Sequence, residues 1–172
     1  MKKTLIVTTM MLITMTAFSL TGCAGKSNAQ AEPMAGMANP WQYEVSPEDV
    51  QKMVNESFTV PEGAENVVYG IMESAKLAEV QFDLDGVSYC ARMEPATEFT
   101  DISGMYYTWD AEGVDQVNGL DAQVRRAISD EEEDADNVLF YDADKQMMYS
   151  ISAVAPDLDG FDLVAVADMV FQ

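Results

Sequence analysis

The feature that most constrains the fold is a pair of alternating apolar segments joined by Asp85-Gly86. Asp-Gly between two such segments is the strongest short-range signal for a two-residue hairpin turn of type I′. The register that this turn sets pairs Glu79 with Arg92, two opposite charges, on one face of the hairpin. The other face carries only apolar and aromatic side chains, and we expect it to be buried: Ala78, Val80, Phe82, Leu84, Val87, Tyr89, Ala91 and Met93. A slip of one residue would destroy both patterns, so the register is strongly specified.

Weaker patterns around this hairpin predict the remaining elements. Ser46 followed by Pro47 predicts the start of an N-terminal helix, and apolar residues at helical spacing near the C-terminus predict a second helix. Alternating or apolar segments predict further strands over residues 66–72, 105–109, 122–128, 138–141 and 147–153, the last two forming a hairpin around residues 142–145. The sequence therefore predicts an α+β domain. Its single, mostly antiparallel, meandering sheet would have about six to seven strands, with a helix at each end of the chain and one helix across a sheet face.

The N-terminal residues predict export and lipid attachment. Lys2 and Lys3 precede an uncharged stretch of about 17 residues, which is short for a membrane span of ~20 residues and is typical of a signal peptide. The tetrapeptide Leu-Thr-Gly-Cys that ends at Cys23 resembles the lipobox of bacterial lipoproteins. That resemblance implies cleavage after residue 22 and acylation of Cys23 with fatty acids such as palmitate, which would anchor the chain to the cell membrane on the side facing away from the cytoplasm. An uncleaved transmembrane anchor is the alternative.

The composition after Cys23 divides the chain into a tether and a domain. Residues 23–42 hold the lipidated cysteine and a segment rich in Ala, Gly, Ser, Asn and Met without helical or strand periodicity, which predicts a flexible tether. Residues 43–172 form the predicted acidic domain. The net charge of −21 repels nucleic acid and anionic membrane surfaces, so we expect no nucleic-acid partner.

The inventory of reactive residues narrows the chemistry. The chain has no histidine, which excludes His-containing catalytic triads and His-ligated zinc sites. Lipidation of Cys23 leaves Cys90 without an intramolecular disulfide partner, and its predicted neighbours suggest an inert thiol.

Four stretches carry a resemblance to known proteins. They are residues 58–66 (FTVPEGAEN), the hairpin over residues 78–89, residues 101–109 (DISGMYYTW) and residues 155–163 (APDLDGFDL). These stretches resemble an uncharacterised family of small bacterial lipoproteins, related to domains of unknown function on the outer side of anti-sigma-type membrane proteins. The resemblance implies a fold and an extracytoplasmic location, and carries over no catalytic or ligand residue.

Three groups of residues are candidate sites. Asp157, Asp159 and Asp162 alternate beside a glycine, as calcium ligands do, but the stretch lacks the bidentate glutamate of an EF-hand loop. An ordinary turn followed by a helix cap is the favoured interpretation. The acidic run over residues 130–136 could bind calcium loosely, but it lacks the glycine turn of calcium loops and is interpreted as a solvated loop between strands. Tyr107 and Trp109 share one face of a predicted strand, where they would either stack on a ligand or belong to the core.

These features favour a non-catalytic binding or interaction module. A lipid anchor, a tether, a small sheet domain and the lack of a catalytic motif motivate this interpretation, in which no cofactor is expected and the partner is an unknown protein, peptide or glycan. A calcium- or metal-responsive domain is the first alternative, and a carboxylate-based hydrolase is the second.

Overall fold

The computed structural model describes residues 39–128 and 133–172, which form one antiparallel sheet with two helices. The strand order is β1-β2-β3-β4-β8-β7-β6-β5, so two meanders meet where β4 pairs with β8. The strands are β1 (Gln42–Tyr43), β2 (Glu65–Met72), β3 (Leu77–Leu84), β4 (Val87–Pro95), β5 (Ala111–Val117), β6 (Leu120–Ala127), β7 (Asp134–Asp142) and β8 (Met147–Ala155). The helices are α1 (Pro47–Val54) and α2 (Leu163–Val170).

The hairpin of β3 and β4 has the predicted register. Leu84 pairs with Val87 across Asp85 and Gly86, both of which have positive φ as a type I′ turn requires. Every predicted cross-strand pair is present, down to Ala78 with Met93. The predicted hairpin of β7 and β8 is also confirmed.

Both helices pack on the apolar face of the sheet. Ser46 caps α1 through a reciprocal capping box, in which the backbone N–H of Asp49 donates to Ser46 Oγ at 3.2 Å and that of Ser46 donates to Asp49 Oδ2 at 3.3 Å. Val50 and Val54 of α1 join the same core cluster as Phe82. The buried residues of α2 belong to this cluster as well: Leu163, Val166, Ala167 and Val170. Neither helix in the part of the chain that the structure describes is long and apolar enough to span a membrane.

Two strand predictions were wrong. Residues 105–109 are irregular, and the strand lies just after them, as β5. The alternation of Met105, Tyr107 and Trp109 has the period of a strand, but the segment is held by side-chain contacts to the sheet face below. The sheet also has eight strands, one or two more than predicted, because β1 is only two residues long and β5 is a polar edge strand. The Asn118-Gly119 turn that joins β5 to β6 is a strong hairpin signal that would have identified β5.

The interpretation of residues 130–136 as a solvated loop was wrong for its last part. Asp134 and Asp136 belong to β7 and are buried, whereas residues 130–132 lie outside the described residues. The carboxylate of Asp136 accepts hydrogen bonds from both the Nε and the Nη2 of Arg126. This bidentate ion pair offsets the desolvation cost of burying the carboxylate.

Candidate functional site

The face of the sheet that the helices leave uncovered is polar, and the segment between β4 and β5 covers it. Glu79, Arg92 and Ser150 lie in one row across β3, β4 and β8. A small apolar cluster borders this row, with Ile102 from the connecting segment packed on the sheet: Leu77, Ile102, Leu139 and Met148. We call residues 96–110 the covering segment.

A buried ion pair lies beneath the covering segment. Glu79 is fully buried, and its carboxylate accepts a hydrogen bond from Arg92 Nε at 2.7 Å. Gln81 Nε2 donates to the same carboxylate at 2.5 Å, and Tyr43 Oη donates to it at 3.4 Å. The Arg92 guanidinium lies under Trp41, with Cζ 5.4 Å from the ring centroid. Contacts of the domain therefore begin at Trp41, two residues before the predicted start of the domain.

Two glycines allow these close approaches. A side chain on Gly70 of β2 would collide with the ring of Tyr43, whose Cδ1 would lie 2.8 Å from the new Cβ. Gly104 has a φ of +67°, and a Cβ there would collide with Arg92 Nη1. Both positions need glycine for space, and Gly104 needs it for its backbone conformation as well.

Arg92 also fixes the covering segment from below. Its Nη1 donates to the carbonyl oxygens of Ile102 at 3.2 Å and of Ser103 at 2.7 Å. Within the segment, Asp101 Oδ1 accepts hydrogen bonds from the backbone N–H and the hydroxyl of Ser103. The stretch Asp-Ile-Ser-Gly is therefore a turn that a buried arginine holds in place.

A second arginine and the second tryptophan hold the segment farther along the sheet. Arg125 Nη1 donates to Asp101 Oδ2 at 2.7 Å, and its Cζ lies 5.7 Å from the centroid of the Trp109 ring. Burial alone would raise the pKa of Asp101, but the hydrogen bonds from Ser103 and Arg125 outweigh it and leave that pKa below its ordinary value. Each tryptophan of the chain is thus paired with an arginine of this face.

The covering segment presents aromatic side chains to solvent. Tyr106 is 98% exposed, Phe99 46% and Tyr107 40%. Tyr107 leans against Trp109, with ring centroids 5.7 Å apart, so the two candidate stacking residues are adjacent, on a fixed loop rather than on a strand. The predicted strand over residues 105–109 is therefore wrong, and Tyr107 is not a core residue.

Tyr106 borders an open cleft of about 590 Å³ between the covering segment and the ends of β3 and β4. The walls combine apolar side chains with one carboxylate that sequence reasoning missed, Glu94. We call this space the aromatic cleft: Leu77, Arg92, Glu94, Thr100, Asp101, Ile102, Gly104, Met105 and Tyr106. Burial raises the pKa of Glu94 above its ordinary value.

Cys90 lies on the same sheet face, next to the ion pair. Burial, followed by the charge of Glu79, raises the pKa of its thiol to about 12. A thiol with that pKa is protonated at neutral pH and is a poor nucleophile and metal ligand.

Two of the three aspartates that were candidate metal ligands, Asp157 and Asp162, use their carboxylates to bond the backbone near α2. Asp162 Oδ1 accepts from the N–H of Ala165 at 3.0 Å and caps the helix, and Asp157 Oδ1 accepts from the N–H of Asp159 at 2.8 Å in the preceding turn. The cap and turn interpretation of this stretch is confirmed. Across residues 39–128 and 133–172, no three His, Cys, Asp or Glu side chains are grouped so that they could hold a metal ion. Cys23 lies outside these residues.

Comparison with protein-family models, with curated proteins and with solved structures found no match. The resemblance to small bacterial lipoproteins therefore stays a prediction.

Proposed function

We propose that the chain is a membrane-anchored, extracytoplasmic lipoprotein whose domain is a non-catalytic binding module, with the aromatic cleft as its ligand site. Cys23 would carry the lipid, and the acidic domain would stand away from an anionic bilayer on its tether. The partner would be a protein, peptide or glycan.

The observation that carries this proposal is that the covering segment exposes three aromatic rings, one of which, Tyr106, lines the cleft. Tyr106 is almost fully exposed at the cleft, Phe99 and Tyr107 are exposed on the same segment, and exposed aromatic surface beside a cleft is typical of interaction sites. The covering segment that bears them is fixed by Arg92 and Arg125, so the rings are displayed on a rigid support. Flat rings of this kind bind peptides or sugars by stacking and contact area.

The non-catalytic part of the proposal is supported by the chemistry of the cleft. Its charged residues are Arg92 and Asp101, which are engaged in ion pairs, and Glu94. A carboxylate-based hydrolase needs two carboxyl groups free to act on one bond. Asp101 is held by Arg125 and Ser103, which leaves Glu94 alone among the residues that line this cleft.

The test is a binding profile that depends on the exposed rings. The labelled full chain, purified in detergent micelles, would be applied to peptide and glycan arrays, beside the variants Tyr106→Ala and Tyr107→Ala. Val114→Ala is the matched control, because Val114 is 79% exposed on β5, away from the cleft. We expect ligands whose binding falls about five- to tenfold in the tyrosine variants, the effect of losing about 1–1.4 kcal/mol of ring contact, and is unchanged in the control.

Two results would contradict the proposal. If every ligand is bound equally by wild type and tyrosine variants, the aromatic cleft is not the site. If neither array yields a ligand, the binding-module function itself is unsupported.

A further inference from the structure

Glu94 is a half-buried carboxylate between apolar side chains of the sheet and polar residues of the covering segment. It points from β4 to the covered face, where it pairs across the sheet with Met148, a fully buried residue, and shares the cleft wall with Leu77. Ile102 of the covering segment lines the same cleft. Partial burial beside these neighbours disfavours the charged carboxylate, which raises its pKa above the ordinary value.

No protein group compensates this charge in the described part of the chain. Among residues 39–128 and 133–172, Glu94 has neither an ion pair nor a hydrogen bond. Arg92 is the nearest cation along β4, but Glu79 neutralises it, and two carbonyl groups occupy its Nη1. Asp101, the other acid of the cleft, is neutralised by Arg125.

The charges of the cleft therefore sum to the single negative charge of Glu94. The rest of the lining suits the remainder of a ligand: Leu77, Ile102 and Met105 offer an apolar wall, Thr100 offers a hydroxyl group, and Tyr106 stands at the rim. An aromatic face beside a carboxylate is the usual pairing for a cation, because the ring's negative face attracts positive charge.

From this arrangement we propose that the aromatic cleft binds a monocation at the end of a short aliphatic stem, the chemistry of a basic side chain on a peptide. The positive group would pair with Glu94, the stem would lie on Leu77 and Met105, and the ring of Tyr106 would close over it. This inference rests on the proposed function and specifies its ligand class. The overall charge of −21 would also concentrate cationic ligands around the domain.

The test compares three probes on the full chain in detergent micelles by saturation-transfer NMR. The first is Nα-acetyl-lysine methylamide. The second is the norleucine analogue, which keeps the stem and lacks the ammonium group. The third is the Nε-acetylated lysine derivative, which lengthens the stem and removes the charge. We expect the lysine probe to bind at least about tenfold more tightly than either neutral probe, the usual effect of one charge-assisted hydrogen bond.

Two protein variants assign the effect to Glu94. Glu94→Gln should weaken lysine-probe binding by at least about tenfold, since an amide keeps the shape and loses the charge. Glu98→Gln makes the same chemical change four residues away on an exposed part of the covering segment, and should change affinity by less than about twofold. Glu94→Gln removes a partly buried charge, so the variant should unfold at a higher temperature than wild type near pH 7.

The contrary results separate this inference from the function on which it rests. Equal binding of the norleucine and lysine probes would overturn the cation preference and leave a binding cleft. Lysine binding that survives Glu94→Gln would overturn the role of Glu94. Failure of all three probes would also overturn the inference, while the array experiment decides independently whether the cleft binds anything.

Discussion

Replacing Glu79 by leucine tests whether the polar face is a buried interior or an open surface. The substitution removes a fully buried carboxylate that accepts hydrogen bonds from Arg92, Gln81 and Tyr43. The guanidinium of Arg92 would lose its counter-ion under the covering segment. Breaking a buried pair in this way costs about 3–5 kcal/mol, because the remaining charge is left uncompensated. We expect the lower end of that range, since the Arg92 side chain keeps 19% of its exposure and water can reach it.

The assay is urea unfolding of the domain over residues 37–172, the compact unit that contains all described elements. Tryptophan fluorescence is a suitable signal, because Trp41 lies over Arg92. A loss of about 3 kcal/mol is a large fraction of the 5–15 kcal/mol that stabilises a typical domain, and lowers the urea midpoint by about 1–3 M.

Two companion variants separate the stranded charge from lost packing. The double variant Glu79→Leu/Arg92→Met removes both charges, and it should recover part of the loss, since apolar replacements of buried pairs are often neutral. The recovery is incomplete because methionine cannot bond the Ile102 and Ser103 carbonyls. Asp83 lies on the same strand and the same face as Glu79, next to the Asp85-Gly86 turn. Asp83→Ala should therefore be much less destabilising than Glu79→Leu. A Glu79→Leu domain within about 0.5 kcal/mol of wild type would refute the buried pair. If the double variant is no more stable than Glu79→Leu, the loss of stability comes from lost packing and not from the unpaired charge of Arg92.

Four other outcomes follow from the same structure. Phe82→Ala should destabilise the domain by about 3–5 kcal/mol in urea unfolding, because Phe82 is buried and stacked on Tyr89 at 4.9 Å; a loss below about 1 kcal/mol would contradict the assignment of the helix-covered face. Cys90 should react with iodoacetamide at about pH 8 far more slowly in the folded domain than in urea, and equal rates would contradict its raised pKa. The pKa of Glu94 is higher in the folded domain than in the unfolded chain. The protonated side chain therefore adds its full contribution to folding stability below the unfolded pKa, and that contribution is lost as pH rises through the folded pKa. Glu94→Gln should therefore have a higher melting temperature than wild type near pH 7 and an equal one near pH 4, and a constant difference between them would refute the burial of Glu94. Cys23→Ala should abolish incorporation of radiolabelled fatty acid in cells, and unchanged labelling would refute lipidation of Cys23.

The sequence predicted those features that neighbouring residues determine and missed those that depend on residues distant in the chain. Asp85 and Gly86 set a turn, the turn sets a register, and the register defines which side chains share a face, so the β3–β4 hairpin followed entirely from adjacent residues. The pairing of Glu79 with Arg92 followed in the same way. Its burial did not, because the cover comes from Ile102 and Ser103, which lie in the segment after the hairpin.

The same distinction explains the failure at residues 105–109. Their alternation predicts a strand, but side chains outside the pattern hold this segment: the N–H of Met105 donates to Ser103 Oγ, and Trp109 lies against Arg125. β5 was missed for the opposite reason. It is an edge strand that pairs only with β6, and Glu112, Gly113 and Asp115 lack the apolar alternation of a covered strand. Local pattern identified strands with one buried face and failed where a distant side chain or an exposed edge decided the structure.

The position of Arg92 connects the interior of the domain to the aromatic cleft. One guanidinium group is bonded to Glu79 on the sheet and to Ile102 and Ser103 in the covering segment, and it also lines the cleft. The guanidinium of Arg92 thus holds the cleft wall in place, and it is the same buried charge that Glu79 neutralises in the folded domain. Beside this neutralised pair, the half-buried Glu94 lines the cleft with no ion pair among residues 39–128 and 133–172. A cationic ligand would complete that face, and its binding would stabilise the fold in proportion to its affinity.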